Sequence, residues 1–134
     1  MQVPITALWA GLLGLLMLAL AINVVRARVT EKVGFGDGGN LVMLQRIRVH
    51  ANFTEYVPMG LVLMLVLELN GASHGLLHAL GASLFAARVL HAFGLGSSTG
   101  TTPGRFGGTV LTWLTVLVAS GFALYEFLSR GQAG

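Results

Sequence analysis

Four long apolar runs divide the chain, and polar connections separate them. The first run, at positions 3–25, carries no charged residue and exceeds the ~20 residues that cross a bilayer as a helix. Further runs predict helices at about 41–69, 73–95 and 105–127. Because no basic segment precedes the first run, we expect a membrane helix there and not a cleaved signal peptide. The pattern predicts an all-α integral membrane protein, with one domain over residues 1–134 built as a four-transmembrane-helix bundle.

The composition strengthens this interpretation. Of the 134 residues, 54% are hydrophobic and 10% are charged, whereas soluble domains carry about 25% charged residues. The mean hydropathy is +0.79, and a soluble chain of this size could not bury so much apolar surface. The lipid bilayer is therefore an expected partner. The absence of cysteine excludes disulfides and thiolate metal sites, so thiol chemistry would need a thiol supplied by a ligand.

The basic residues indicate topology rather than nucleic-acid binding. The formal charge of +3 comes without a basic run or an aromatic stacking platform, so no nucleic acid is expected. Arg26, Arg28 and Lys32 lie in the polar connection predicted at 26–40, Arg105 ends the third connection, and the second has no Lys or Arg. The positive-inside rule then places the first and third connections in the cytoplasm and both termini on the other side.

A polar stripe begins the second predicted helix. Arg48, Asn52 and Glu55 follow one another at i, i+4 and i+7, so they share one helix face. Charge is costly in a bilayer, so this face must meet protein, water or a ligand. Arg binds carboxylates, Asn offers a donor and an acceptor, and Glu accepts from an ammonium group, which suits a small zwitterionic ligand. The alternative is an internal ion pair; with two turns between them, Arg48 and Glu55 are expected to reach other helices rather than each other.

Further polar residues near the cytoplasmic side have two interpretations each. Arg88 and His91 lie at i and i+3 of the third helix and could line a ligand site. Alternatively, Arg88 pairs with Glu55 across helices and His91 fills a polar gap. Arg105 at the start of the fourth helix could serve the site or anchor the helix at the membrane interface.

Two other patterns favour no site. His74 and His78 have the i, i+4 spacing of metal ligands, but only Glu68 is a nearby third candidate, so no metal site is expected. The glycine-rich segment at 34–39 lacks the preceding strand that a dinucleotide-binding loop requires, so we expect a surface loop.

Three motifs resemble the MAPEG family, the membrane-associated proteins in eicosanoid and glutathione metabolism. The resemblance covers nearly the whole chain, with comparable length and helix count, and is strongest to an uncharacterised bacterial inner-membrane branch. The motifs are Arg48-x-x-x-Asn52-x-x-Glu55-Tyr56-x-Pro58, Arg88-Val-Leu-His91, and Arg105 at the start of the fourth helix.

The resemblance implies a homotrimer in the bacterial inner membrane, where the positive-inside topology makes both termini periplasmic. It also implies that glutathione binds between neighbouring subunits, near the cytoplasmic side. The matching positions are Arg26 and Arg48 for its carboxylates, Asn52 and Glu55 for its polar backbone or amino group, Arg88 and His91 as lining residues, and Arg105 as the catalytic residue beside the sulfur.

The implied function is a glutathione transferase or peroxidase acting on apolar electrophiles or hydroperoxides. A free thiol has a pKa of about 8.5, and a nearby guanidinium favours the thiolate. Family enzymes often carry tyrosines where this chain has Leu95 and Thr109, which leaves catalysis and substrate open. The alternative is a non-catalytic membrane protein that binds a small anionic ligand or a protein partner. Transport is disfavoured because the chain shows no inverted repeat.

Overall fold

The computed structural model describes residues 2–97 and 100–131. Its elements are four helices, α1 (Pro4–Glu31), α2 (Leu41–Leu69), α3 (His74–Ser97) and α4 (Pro103–Gly131), each long and apolar enough to cross a membrane. No strand occurs in this described part of the chain. The predicted all-α membrane fold is confirmed.

Successive helices run in opposite directions. Both α1 and α4 pack against α2 and α3, whereas α1 and α4 do not contact each other within the described residues. The end of the bundle where α1 and α3 finish and α2 and α4 begin carries most of the charged side chains, and we call it the polar end.

The first helix is longer than its apolar run predicts. It continues through Arg26 and Arg28 to Glu31, and ends at Lys32 in the left-handed conformation (φ 55°). Hydropathy marks where a helix leaves the lipid, whereas Arg and Glu remain good helix formers, so the backbone does not stop there. The connection between α1 and α2 is therefore shorter than the one predicted at 26–40. Positions 98 and 99 of the other predicted polar-end loop lie outside the described residues.

Asn40 joins α1 to α2 at the polar end. Its side-chain oxygen accepts hydrogen bonds from the backbone N–H groups of Val42 (2.8 Å) and Met43 (3.1 Å), which caps α2. Its Nδ2 donates to Glu31 Oε2 at 2.6 Å. This pair of contacts fixes where α2 begins and therefore where its polar stripe lies.

Glu68 joins the same two helices at the opposite end. Its carboxylate oxygens accept from the backbone N–H groups of Ile5 (2.9 Å) and Thr6 (2.7 Å). The first turn of α1 lacks a cap from its own N-cap residue, Val3, and a negative charge is favourable at a helix N-terminus. Glu68 thus supplies from α2 the cap that α1 lacks.

Small residues bring α3 and α4 close together near the polar end. A Cβ placed on Gly108 would lie 2.6 Å from both the Ala87 oxygen and the His91 nitrogen. A Cβ on Gly104 would lie 3.1 Å from the Leu90 oxygen. Backbones that approach this closely are typical of membrane helix pairs with small interface residues. The contact holds the start of α4 beside His91.

Candidate functional site

A buried arginine connects three helices beside the polar end. Arg88 on α3 has a relative exposure of only 2%. Its Nη1 donates to Asn52 Oδ1 on α2 at 2.7 Å, and its Nη2 donates to the Gly108 oxygen at 3.2 Å and to Thr112 Oγ1 on α4. The guanidinium also lies 5.6 Å from the centre of the Tyr56 ring. Arg88 therefore holds α2 and α4 against α3.

These contacts support the structural interpretation of Arg88. The side chain has the structural role that we considered as the alternative, but its partner on α2 is Asn52 and not Glu55. Both terminal nitrogens of the guanidinium already donate to protein oxygens. Direct contact of Arg88 with a ligand remains a prediction. In the structure, Arg88 positions Asn52.

A pocket beside Arg88 gathers four of the predicted site residues. It has a volume of ≈ 230 Å³ and is formed by the start of α2, the end of α3 and the start of α4. We call it the polar pocket. Its lining residues are Leu41, Leu44, Gln45, Arg48, Asn52, His91, Leu95 and Arg105.

The polar pocket presents mainly hydrogen-bond donors. Because Asn52 Oδ1 is occupied by Arg88, the Asn52 amide has its NH₂ group left for a ligand. Arg48 and Arg105 add two guanidinium groups. Such a surface is suited to carboxylate groups.

Gln45 is a pocket residue that the sequence prediction omitted. It lies one turn before Arg48 on the same stripe, at spacing i, i+3, and this periodicity could have revealed it. Its Nε2 donates to the Leu95 oxygen at 2.5 Å. The side-chain oxygen of Gln45 is thus left as an acceptor in a pocket of donors.

The expectation that Arg48 and Glu55 reach different helices is wrong. Arg48 Nη1 lies 3.8 Å from Glu55 Oε1, with both residues on α2 and their side chains 55% and 49% exposed. The two long side chains bridge two helical turns, a rise of about 10 Å. An exposed pair at this distance contributes little stability. The guanidinium of Arg48 can therefore exchange this partner for a ligand.

Arg105 and His91 form the opposite wall of the pocket. The Arg105 backbone N–H donates to Thr102 Oγ1 at 3.2 Å, and Thr102 donates in turn to the Gly94 oxygen at 2.8 Å, which links the start of α4 to α3. Arg105 Nη1 has a long contact of 3.4 Å with the Gly100 oxygen. His91 is 4% exposed. The positions of both pocket residues are thus set by the α3–α4 contact.

Arg26 lies in a different place from the other predicted site residues. It borders a larger cleft of ≈ 480 Å³ between α1, α2 and α3, which we call the lateral cleft. This cleft shares no lining residue with the polar pocket. Its lining includes Leu16, Leu20, Arg26, Arg46, Val89 and Phe93. Because α1 does not contact α4, a single chain does not bring Arg26 to Arg105.

His74 and His78, for which no metal site was expected, lie at the start of α3, away from the polar end. His78 makes an edge contact with Trp9, their ring centres 6.2 Å apart. No group of three or more His, Asp or Glu side chains that could hold a metal ion occurs within residues 2–97 and 100–129.

Fold and pocket together define a four-helix membrane protein with a donor-lined pocket at one end of its bundle. Comparison with known proteins gives the family: the MAPEG family model matches residues 6–125, and the chain belongs to this family. The inner membrane protein YecN of Escherichia coli K12 is 41% identical over 90 residues, which cover 67% of this chain and 69% of YecN. YecN of E. coli O6:H1 strain CFT073 matches to the same extent. The resemblance inferred from the motifs is confirmed.

The buried Arg88 network predicts unequal effects of two similar substitutions on α4. Thr112→Val removes an acceptor from the buried guanidinium, so it should lower the free energy of unfolding by about 1–3 kcal/mol. Thr115→Val is the matched control, because Thr115 is also buried and its hydroxyl donates only to the Leu111 oxygen of its own helix. Thermal unfolding in detergent measures both. Equal destabilisation would show that Arg88 does not depend on Thr112.

Proposed function

We propose that this protein is a glutathione-dependent membrane enzyme, a transferase or peroxidase acting on apolar electrophiles or hydroperoxides. The observation that carries the proposal is the polar pocket, in which Arg48, Asn52, His91 and Arg105 converge within a membrane bundle. Membership of the MAPEG family supports glutathione as the thiol. The chain supplies no thiol of its own, so the nucleophile must come with the ligand.

The pocket chemistry complements glutathione group by group. Glutathione carries two carboxylates, one ammonium group and one thiol. Arg48 would bind a carboxylate, and the NH₂ group of Asn52 would donate to a carboxylate or a peptide oxygen. The acceptors for the ammonium group are the side-chain oxygen of Gln45 in the pocket wall and Glu55, which does not line the pocket but pairs with Arg48. In this proposal His91 lines the pocket, while Arg88 supports it through Asn52.

In this proposal the second carboxylate of glutathione binds Arg26, and this assignment requires more than one copy of the chain. Arg26 borders the lateral cleft and not the polar pocket of its own chain. It could complete the site only if a neighbouring copy presents its α1 to the pocket. We therefore propose a homotrimer with glutathione bound between neighbours, near the cytoplasmic side. Both termini would then face the periplasm, and the name of YecN supports the inner membrane as the location.

Arg105 is the proposed catalytic residue. A guanidinium beside the sulfur would stabilise the thiolate, and each unit by which the thiol pKa falls corresponds to about 1.4 kcal/mol. The thiolate would attack the electrophile, forming a carbon–sulfur bond as the leaving group departs and the thiol proton passes to water. Leu95 in the pocket wall offers no hydroxyl, and the Thr109 hydroxyl donates to the Arg105 backbone oxygen at 2.9 Å. Thiolate stabilisation would therefore depend on Arg105.

Glutathione affinity should distinguish two arginines that are two positions apart on α2. Arg48→Gln removes a charge-assisted hydrogen bond of about 1.5–3 kcal/mol, so the dissociation constant should rise at least about tenfold. Arg46→Gln is the control, because Arg46 lines the lateral cleft and not the polar pocket. Isothermal titration of both variants with glutathione gives the comparison. Equal losses, or a loss of thermal stability rather than affinity in Arg48→Gln, would contradict the assignment of Arg48.

Substitution of Arg105 should separate chemistry from binding. Arg105→Ala should reduce conjugation of a model electrophile by at least about tenfold, because one pKa unit of lost thiolate stabilisation has that effect. Arg105→Lys keeps the positive charge and should retain part of the rate. Glutathione should still bind both variants, as measured by the same titration. An unchanged rate in Arg105→Ala would exclude this residue as the catalytic one.

The alternative function is a non-catalytic membrane protein that binds a small anionic ligand or a protein partner. The observation that favours it is Leu95, an apolar residue in the pocket where family enzymes often carry tyrosine. Wild-type protein that binds glutathione but turns over none of several electrophiles or hydroperoxides would support this alternative.

A further inference from the structure

The lateral cleft combines an apolar channel with two cations at one end. Leu16 and Leu20 on α1 face Val89 and Phe93 on α3 across the cleft, and Arg46 stands at the polar end together with Arg26. The volume of ≈ 480 Å³ falls within the range of ligand sites, about 300–1,000 Å³. The cleft therefore has the size and the amphipathic character of a binding site.

The two cations of this cleft have no protein counter-charge. Neither Arg26 nor Arg46 has a side-chain hydrogen bond or an ion pair with any described residue. In contrast, Arg28 donates to the oxygens of Val33 (3.3 Å) and Gly36 (3.0 Å), and Arg48 pairs with Glu55. Cations left uncompensated at the mouth of an apolar cleft favour an anionic occupant.

The three acids at the polar end of a second copy each already have a partner within their own chain. The chain contains five acidic residues. Glu31 accepts from Asn40, Asp37 accepts from Gly39, and Glu55 pairs with Arg48 at the polar end. The remaining two, Glu68 and Glu126, lie at the other end of the bundle. Charge complementarity thus favours a small anionic molecule over a neighbouring subunit.

The length of the cleft matches one leaflet of a bilayer. Leu16 and Arg26 are ten residues apart on α1, a rise of about 15 Å along the helix. The hydrocarbon core of a bilayer is ~30 Å thick, so one leaflet contributes about 15 Å, which equals the rise along this part of α1. An acyl chain lying along the cleft would therefore bring its headgroup to the two guanidinium groups.

We propose that the lateral cleft is a binding site for an anionic phospholipid, with one acyl chain along Leu16, Leu20 and Phe93 and the phosphate at Arg46 and Arg26. One guanidinium group can donate two parallel hydrogen bonds to the oxygens of a phosphate. Basic pockets between membrane helices are known to hold lipid headgroups. The cleft shares no lining residue with the polar pocket, and Arg26 is the one residue that the two proposals have in common. Because Arg26 also has a role in the glutathione proposal, Arg46 is the residue that tests the lipid site.

Native mass spectrometry of the detergent-purified full chain tests this proposal. Phosphatidylglycerol and phosphatidylcholine with identical acyl chains are added in equal amounts. The wild-type protein should retain phosphatidylglycerol at least about tenfold better, with saturation near one lipid per chain. Arg46→Gln should lose this preference while its glutathione affinity stays unchanged, whereas Arg48→Gln should keep the preference. Equal retention of both lipids by wild type, or an unchanged preference in Arg46→Gln, would overturn the proposal.

Two further variants test the apolar part of the cleft. Ala92→Phe and Ala19→Phe add a ring from opposite walls, on α3 and α1, and each should reduce retained phosphatidylglycerol while the thermal transition persists. If either variant instead dissociates an oligomer and leaves lipid retention unchanged, a second copy fills the cleft and the proposal is wrong. Competition by inorganic phosphate as effective as that of the intact lipid would also overturn it, since the acyl chain would then contribute nothing.

Discussion

A guanidinium buried in an apolar bundle must be matched by acceptors, and the rest of this structure depends on how Arg88 meets that requirement. The acceptors of its two terminal nitrogens come from α2 and α4, so one side chain fixes the relation of three helices, although its buried Nε has no hydrogen-bond partner among the described residues. The same contacts orient Asn52 so that its donor group is left for the polar pocket. Stability and ligand chemistry are coupled here, because an unmatched buried charge is costly and its partner also lines the site.

The sequence predicted the helices well because the length of an apolar run corresponds to the thickness of the bilayer that the helix crosses. It predicted the end of α1 poorly, since Arg26 to Glu31 leave the lipid without leaving the helix. Topology also placed Arg26, Arg48, Arg88, His91 and Arg105 toward the same side of the membrane. The polar pocket contains three of them, whereas Arg26 borders the lateral cleft and Arg88 is buried beside the pocket. That placement came from positive-inside topology and from the family motifs, which carry positional information that hydropathy lacks.

The pairing of polar side chains could not be predicted from the sequence. Periodicity placed Arg48 and Glu55 on one face but could not show that two long side chains bridge two turns. Equally, nothing in the order of residues identifies Asn52 rather than Glu55 as the partner of Arg88. Glu68 caps the start of a helix more than sixty residues earlier, a contact that only the folded arrangement creates. In each case the choice among several polar partners is made by helix packing.

We propose above that the donors of the polar pocket bind glutathione. The most direct measurement is a titration of the detergent-purified wild-type protein with glutathione, with thiolate absorbance followed at neutral pH. We expect saturable binding in which absorbance rises and protons are released, because the bound sulfur is held as the anion. Absence of saturable binding across millimolar glutathione, in protein whose thermal transition shows that it is folded, would contradict it.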